Sequence, residues 1–300
     1  MTVAVLIPCH NEAYTIRKVI SDFRKILPEA EIHVCDNGST DDTGKIARTE
    51  GVRVWEEPRL GKGHAVRRLL RAVEADWYLL VDGDATYEAQ SALEMLRLGQ
   101  EEGFDFVTGI RIPANPRCWR PGHGLGNRLL TGLVRYLVGH HSSDLLSGYR
   151  LLSRRFVRSF PALANGFDIE TDMVAHALDL SLPVAEVATP YYARPHGSFS
   201  KLHTWRDGWR ILKLILNLVR HERPLPFFLI LASLLAVLSL ALGIPVVLHY
   251  EHTGTVPRLP TALLAASAGI LAAQSLFTGF VLDTVTRGRK EQKRLAFRQA

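Results

Sequence analysis

Trp77-Tyr78-Leu79-Leu80-Val81-Asp82-Gly83-Asp84 decides the fold: five apolar residues run without interruption into two carboxylates one residue apart. A short apolar run bounded by a turn signal reads as a strand buried on both faces, the pattern of a parallel sheet. Asp82 and Asp84 then emerge together at its carboxyl end, the edge at which open α/β sheets place ligands. Paired hard oxygen ligands there suit Mg²⁺ or Mn²⁺ held against a diphosphate.

Outward from that strand, apolar and amphipathic segments alternate up to about residue 110. Strands are predicted at 3–7, 31–35, 52–55 and 104–108, with helices near 13–27, up to about 50, at 64–75 and at 89–102. Such alternation predicts a mostly parallel, Rossmann-like sheet covered by helices. Each polar cluster falls just after a strand, so one edge should collect Asn11, Glu12, Asp36, Asp41, Lys62, Asp82 and Asp84. Taken singly, each has an ordinary alternative. Asp36-Asn37-Gly38-Ser39 is also a turn followed by a helix cap, Gly61-Lys62-Gly63 lacks the spacing of a phosphate-binding P-loop, and the carboxylate pair fits a solvated strand end.

The chain has 300 residues, 47% of them hydrophobic, and these are unevenly distributed. Residues 225–248 and 259–282 contain no Asp, Glu, Lys or Arg. A helix of that length spans about 36 Å, enough to cross a bilayer's hydrocarbon core with some tilt. Buried helices of a soluble protein are the alternative, and two consecutive charge-free runs argue against it. The helix expected at 204–223 sets Trp205, Trp209 and a run of leucines among Arg206, Arg210, Lys213 and Arg220, the composition of an interfacial amphipathic helix. The expected organisation is therefore a cytosolic catalytic domain at 1–203, the interfacial helix at 204–223, a transmembrane hairpin at 224–283 and a basic cytosolic tail at 284–300.

Charge orients the hairpin. The net charge is +6, and the last fourteen residues hold six basic side chains against Glu291 alone, whereas the connector 249–258 holds one Glu and one Arg. Positive flanks stay inside, so both termini are expected on the cytoplasmic side of an inner or plasma membrane. The basic excess hugs the membrane boundaries, which favours anionic headgroups over a nucleic-acid partner. The chain opens on a strand with no basic leader before it, so no signal peptide is read. Cys9, Cys35 and Cys118 lack metal-type spacing and read as buried free thiols.

Together, Pro8-Cys-His-Asn-Glu12, Asp36-Asn-Gly-Ser-Thr-Asp41, Gly61-Lys62-Gly63 and Asp82-Gly-Asp84 resemble the inverting family 2 glycosyltransferases of the GT-A fold. Asp144-Leu-Leu-Ser-Gly-Tyr-Arg150 and Arg194-Pro-His-Gly-Ser-Phe-Ser-Lys201, followed by the amphipathic helix and two spans, are similar to the polyprenyl-phosphate glycosyltransferases, dolichyl-phosphate mannose synthases among them. The resemblance covers residues 3 to 220 and, in kind, the hairpin.

The resemblance implies transfer of one sugar from a nucleotide diphosphate sugar to a membrane polyprenyl phosphate of the undecaprenyl or dolichyl type, with inversion. Asp84, supported by Asp82, would hold the metal. Pro8, Asn11 and Glu12 would shape the nucleoside pocket, Asp36 would accept hydrogen bonds from the base, Asp41 would contribute nearby, and Lys62 would add positive charge beside the nucleotide. Glu170, in the acidic cluster Asp168, Glu170 and Asp172, would lie near the donor sugar. The acceptor phosphate already carries between one and two negative charges near pH 7 and needs charge positioning more than a strong base. Arg117, Arg120, Arg128, Arg150, Arg194, Ser198 and Lys201 are the candidates for holding it, with Asp144 orienting one of those arginines or serving as a weak base. Thr86 departs from the family, since mannose synthases often place a metal-binding glutamine there. The donor is therefore read as a UDP-hexose or UDP-N-acetylhexosamine, with GDP-mannose as the alternative. Two spans are too few for a polysaccharide channel, which argues against a processive synthase. A membrane-bound nucleotide-sugar binding protein without turnover, or a transferase acting on another lipid or a soluble acceptor, are the competing readings. Assembly into a homo-oligomer is left open.

Overall fold

The structure, a computed structural model, describes residues 1–114, 144–162, 166, 169–194 and 223–299. The interfacial helix expected at 204–223, Arg223 apart, lies outside them, as do Arg117, Cys118, Arg120, Arg128, Asp168, Ser198 and Lys201. The chain forms two compact units, residues 1–212 with 293–300, and residues 213–292.

The first unit is built on a seven-stranded sheet. Its elements are β1 Val3–Cys9, α1 Ile16–Ile26, β2 Glu31–Asp36, α2 Thr43–Thr49, β3 Arg53–Glu56, α3 Lys62–Ala72, β4 Trp77–Leu80, α4 Ser91–Glu102, β5 Phe106–Pro113, β6 Arg150–Ser153, α5 Arg154–Ser159, α6 Ile169–Asp179 and β7 Val184–Tyr191. The sheet order is β3-β2-β1-β4-β6-β5-β7. β1 pairs in parallel with β2 and β4, β2 with β3, and β5 with β7; β6 alone runs against its neighbours β4 and β5. This is the mostly parallel α/β architecture of the sequence reading, with one reversed strand that the reading did not foresee.

The apolar pattern explains the central strands. Val5, Leu6, Ile7, Leu79 and Leu80 are fully buried, with no polar face to alternate. Helix α1 buries Ile16, Val19, Ile20 and Phe23, spaced i, i+3, i+4 and i+7, while Arg17, Lys18 and Arg24 stay outside. Each such apolar side chain contributes about 2 kcal/mol on burial. Cys9 and Cys35 are buried free thiols, as expected.

The second unit contains all of α7, Pro224–Thr253, and most of α8, Leu259–Gln299. Both are long and apolar enough to cross a membrane, with mean hydropathy of 2.7 and 1.6 in their most apolar stretches. They exceed the expected spans 225–248 and 259–282 at their C-terminal ends. Pro245 lies inside α7. Small residues bring the two helices together, as in membrane helix pairs: Ser239 Oγ donates to the Ala265 carbonyl at 2.8 Å, and Ala232, Ala265, Ala268 and Ala272 are buried.

The basic tail is helical to Gln299. Its residues 293–300 belong to the first unit, where Lys293 Nζ pairs with the buried Asp179 at 2.7 Å and Arg294 donates to the Asp179 carbonyl and to Ser181 Oγ. At least these two tail charges thus contact protein.

Near that contact, α6 buries His176 between Phe156 and Phe160, with Nε2 2.9 Å from Ser159 Oγ. Burial, reinforced by Lys293, pushes its pKa down from 6.5 to about 4. The folded chain therefore keeps His176 neutral while the unfolded chain protonates it below about 6.5, so stability is full above that pH and falls as pH drops towards about 4. Melting of the full chain in nonionic detergent from pH 7 to 4 should show a loss on the order of 3 kcal/mol that His176→Gln largely removes. An identical pH slope in the variant would refute this assignment.

Candidate active site

Strand order reverses between β1 and β4, because β1 leads on one side to β2 and on the other to β4. That switch point leaves a crevice beyond the carboxyl ends of the strands. A cavity of about 210 Å³ lies there, lined by Pro8 near the end of β1, His10 and Glu12 after it, Asn37 after β2, Leu60, Gly61 and Lys62 at the start of α3, Asp82 and Asp84 after β4, and Arg194 after β7.

The two carboxylates are held differently. Asp84 is buried; its Oδ1 accepts from Thr86 Oγ1 at 2.6 Å, and its Oδ2 pairs with Arg194 at 2.7 Å. Burial and the nearby Asp82 push its pKa up, against the pull of Arg194 and Thr86. Asp82 is more open and pairs with Lys62 Nζ. The same ammonium reaches Glu170 Oε1 at 2.5 Å, from the first turn of α6. Burial alone would lower the Lys62 pKa, but Asp82 and Glu170 outweigh it and hold the group protonated.

Loop chemistry fixes these positions. Asn37 donates through Nδ2 to the carbonyls of Glu57 and Arg59, and its Oδ1 accepts from Gly61 N at 2.8 Å. Gly61 sits at φ 137°, a conformation that excludes other residues at the start of α3. Behind Asp82, the amide of Gly148 donates to Tyr87 Oη at 2.8 Å. A Cβ on Gly148 would fall 2.7 Å from Asp82 Cγ and 2.9 Å from its Oδ1. Ala85, directly after Asp84, adopts φ 57°, a strained turn of the kind that clusters at functional sites.

Of the residues expected from sequence, Pro8, Glu12, Lys62, Asp82, Asp84 and Arg194 line the cavity, and Glu170 reaches it through Lys62. Asn11, Asp36 and Asp41 do not line it; they brace the surrounding loops. Asn11 Oδ1 accepts from Thr40 N at 2.7 Å, Asp36 Oδ1 from Ser39 N at 3.0 Å, and Asp41 from the amides of Ala13 and Thr43. Arg150 is corrected from a phosphate ligand to a core residue: it is fully buried at the start of β6, over the Phe106 ring, and donates to the carbonyls of Ser147 and Leu145. Asp144 orients an arginine, but a different one, since it makes a two-pronged pair with Arg111 of β5 at 2.6 and 2.7 Å. Asn37, Arg111 and Gly148 were not singled out from sequence. Asn37 and Gly148 lay inside motifs already quoted; nothing local marked Arg111.

The donor set suits a divalent ion. Asp82 and Asp84 offer hard carboxylate oxygens, and each now faces a side-chain cation where a metal's charge would fall. Among the described residues no cluster of three His, Cys, Asp or Glu is built to hold a metal. Two carboxylates completed by water and substrate phosphate are the usual arrangement for Mg²⁺. Thr86 donates to Asp84, so in this structure it orients the carboxylate.

Residues 4–160 match the sequence profile of glycosyl transferase family 2. The glycosyltransferase AglJ of Haloferax volcanii is 33% identical over 295 residues, spanning 97% of this chain and 95% of that protein. A dolichyl-phosphate hexose transferase of the same organism is 28% identical over 220 residues, 73% of this chain and 95% of its own. Among solved structures, the glucosyl-3-phosphoglycerate synthase of Mycobacterium tuberculosis in complex with Mn²⁺, UDP-glucose and phosphoglyceric acid is similar at a TM-score of 0.58 and 25% identity, over 72% of this chain and 79% of that one.

Gly148→Ala tests how far the site depends on the close approach of backbone to Asp82. Because the colliding atoms end a side chain, the melting temperature should stay within about 4 °C. Asp82 should swing off its position, weakening Mn²⁺ binding by about tenfold or more when read by electron paramagnetic resonance. Undiminished Mn²⁺ affinity would show that the glycine has no such role.

Proposed function

The chain belongs to glycosyl transferase family 2, and we propose that it moves a single hexose or N-acetylhexosamine from a UDP-sugar to the phosphate of a membrane polyprenol. The observation that carries this reading is the pair Asp82 and Asp84 at the switch-point cleft, each matched to a cation. The UDP-sugar draws support from the similar synthase bound to Mn²⁺ and UDP-glucose, and the acceptor from the relative that is a dolichyl-phosphate hexose transferase. GDP-mannose remains the runner-up donor.

In this reaction an oxygen of the acceptor phosphate attacks the anomeric carbon from the face opposite the nucleotide. The new carbon–oxygen bond forms as the bond to the diphosphate breaks, and the electron pair leaves on the nucleoside diphosphate. Asp84 and Asp82 would hold a Mg²⁺ or Mn²⁺, which when bound would supply Lewis-acid stabilisation of that leaving charge. Lys62, kept protonated by Asp82 and Glu170, adds a fixed positive charge in the same cleft. Thr86 holds the Asp84 carboxylate in one rotamer. Arg194, beside Asp84, meets the incoming phosphate with a guanidinium, and Arg117, Arg128, Ser198 and Lys201 are proposed to share that work. Glu170 acts by positioning Lys62, and Asp144 by positioning Arg111.

Helices α7 and α8 would anchor the enzyme in the membrane, with the catalytic domain and both termini on the cytoplasmic side and the amphipathic segment 204–223 at the interface. A lipid phosphate then reaches the cleft while its tail stays in the bilayer.

Incubating the full chain in detergent with undecaprenyl phosphate, Mn²⁺ and a panel of UDP- and GDP-sugars, and weighing the lipid product, tests the proposal. One UDP-sugar should yield a polyprenyl-phosphate monosaccharide, and Asp84→Asn should reduce turnover at least about a hundredfold. Donor binding without any lipid product across the panel would instead support a binding protein, and full activity of the variant would remove Asp84 from the mechanism.

A further inference from the structure

A second cavity, of about 350 Å³, shares the 57–64 segment with the donor cleft and is lined by Glu57, Arg59, His64, Arg67, Arg68, Arg71 and Ala72. None of these residues takes part in the chemistry above. The segment is a shared wall: Leu60, Gly61 and Lys62 line the donor cleft, while Glu57, Arg59 and His64 line the second cavity.

Its charges do not cancel. Among its described lining residues the one carboxylate is Glu57, which is buried and takes a two-pronged pair from Arg59 at 2.8 and 3.1 Å that holds its pKa down to about 2. Arg59 and Glu57 therefore neutralise each other. Arg68 and Arg71 remain as exposed charges, with Arg67 and His64 beside them. Arg67 and Arg71 stand one helical turn apart, an i,i+4 pair of like charges that costs stability on a helix surface. Arg68 and Arg71 are exposed and meet no carboxylate among the described residues. Positive charge concentrated in a concave site draws anions to it.

The groups are also held in place. Arg67 Nε donates to the Ala162 carbonyl at 2.7 Å, Arg68 lies with its guanidinium carbon 5.5 Å from the Trp55 ring centroid, and the Arg59 carbonyl is tied to Asn37. Fixed guanidinium planes recognise phosphate oxygens two at a time, which ammonium groups do not.

We propose that this cavity is a second anion site, separate from the donor cleft, that takes a phosphate-bearing group with at least two negative charges. The same chemistry is offered by an anionic lipid headgroup and by a soluble phosphate, and two arms of one experiment distinguish them. Hydrogen exchange of residues 57–72 is followed in the full chain, first in nonionic detergent with and without inorganic pyrophosphate, in the absence of divalent ions. It is then followed in vesicles of phosphatidylcholine alone or mixed with phosphatidic acid.

Protection in the first arm identifies a soluble phosphate, and protection in the second a lipid headgroup. In either case Arg68→Gln with Arg71→Gln should abolish the protection while leaving UDP affinity in Mn²⁺ within about twofold of the parent. Because both substitutions are on exposed positions, the variant keeps its fold, and retained UDP binding confirms it. Protection in neither arm, or equal protection in the double variant, overturns the proposal. Neither result bears on which sugar or acceptor the transferase uses.

Discussion

A buried ammonium organises the candidate site. Lys62 belongs to α3, Asp82 to the end of β4 and Glu170 to α6, and their charges meet within one cluster that excludes most solvent. Removing Lys62 would leave two carboxylates facing each other without a cation in a poorly polarisable surrounding, which costs far more than a surface pair is worth. The three elements are thereby held in register, and with them the cleft. The Lys62 backbone in turn depends on Gly61 and Asn37, so the loop after β2 and the start of α3 are part of the same constraint. Asp84 is set by a parallel device, with Thr86 on one oxygen and Arg194 on the other.

The first half of the fold was legible because β1 to β4 are local in sequence and apolar without alternation, and their helices carry clean 3.6-residue periodicity. Motifs at strand ends then converge by topology alone, which is why Pro8, Glu12, Lys62, Asp82 and Asp84 could be placed together. The second half was less legible for equally physical reasons. β6 is four residues long, begins with an arginine, and pairs with β4 across a long stretch of chain, so no local signal marked it. Arg150 was read by its charge as a ligand, whereas it caps carbonyls in the core; sequence does not distinguish an arginine that binds phosphate from one that satisfies its own loop. Arg111 was missed because it sits inside a strand, and its partner Asp144 is fixed only by tertiary structure.

The apolar hairpin was legible from charge absence, but its ends were not. Both helices outrun their charge-free cores, because a helix continues as long as its backbone bonds are satisfied, whatever the side chains. The tail, read as a set of lipid-facing charges, places Lys293 and Arg294 against Asp179 and Ser181. Net charge counted along a sequence is blind to carboxylates that lie near only after folding.

The reversed strand β6 carries a consequence for how the molecule is made. Its pairing with β4 and β5 closes the sheet, and Glu170 arrives only with the helix that follows it. A ribosome delivers the parallel strands β1 to β4 and the Lys62 helix long before these pieces, so the nascent sheet waits with an open edge at β4. Long-range pairing of this kind is slow to form. The topology thus ties the acquisition of a working cleft to synthesis of the chain well past the motifs at the ends of β1, β2 and β4.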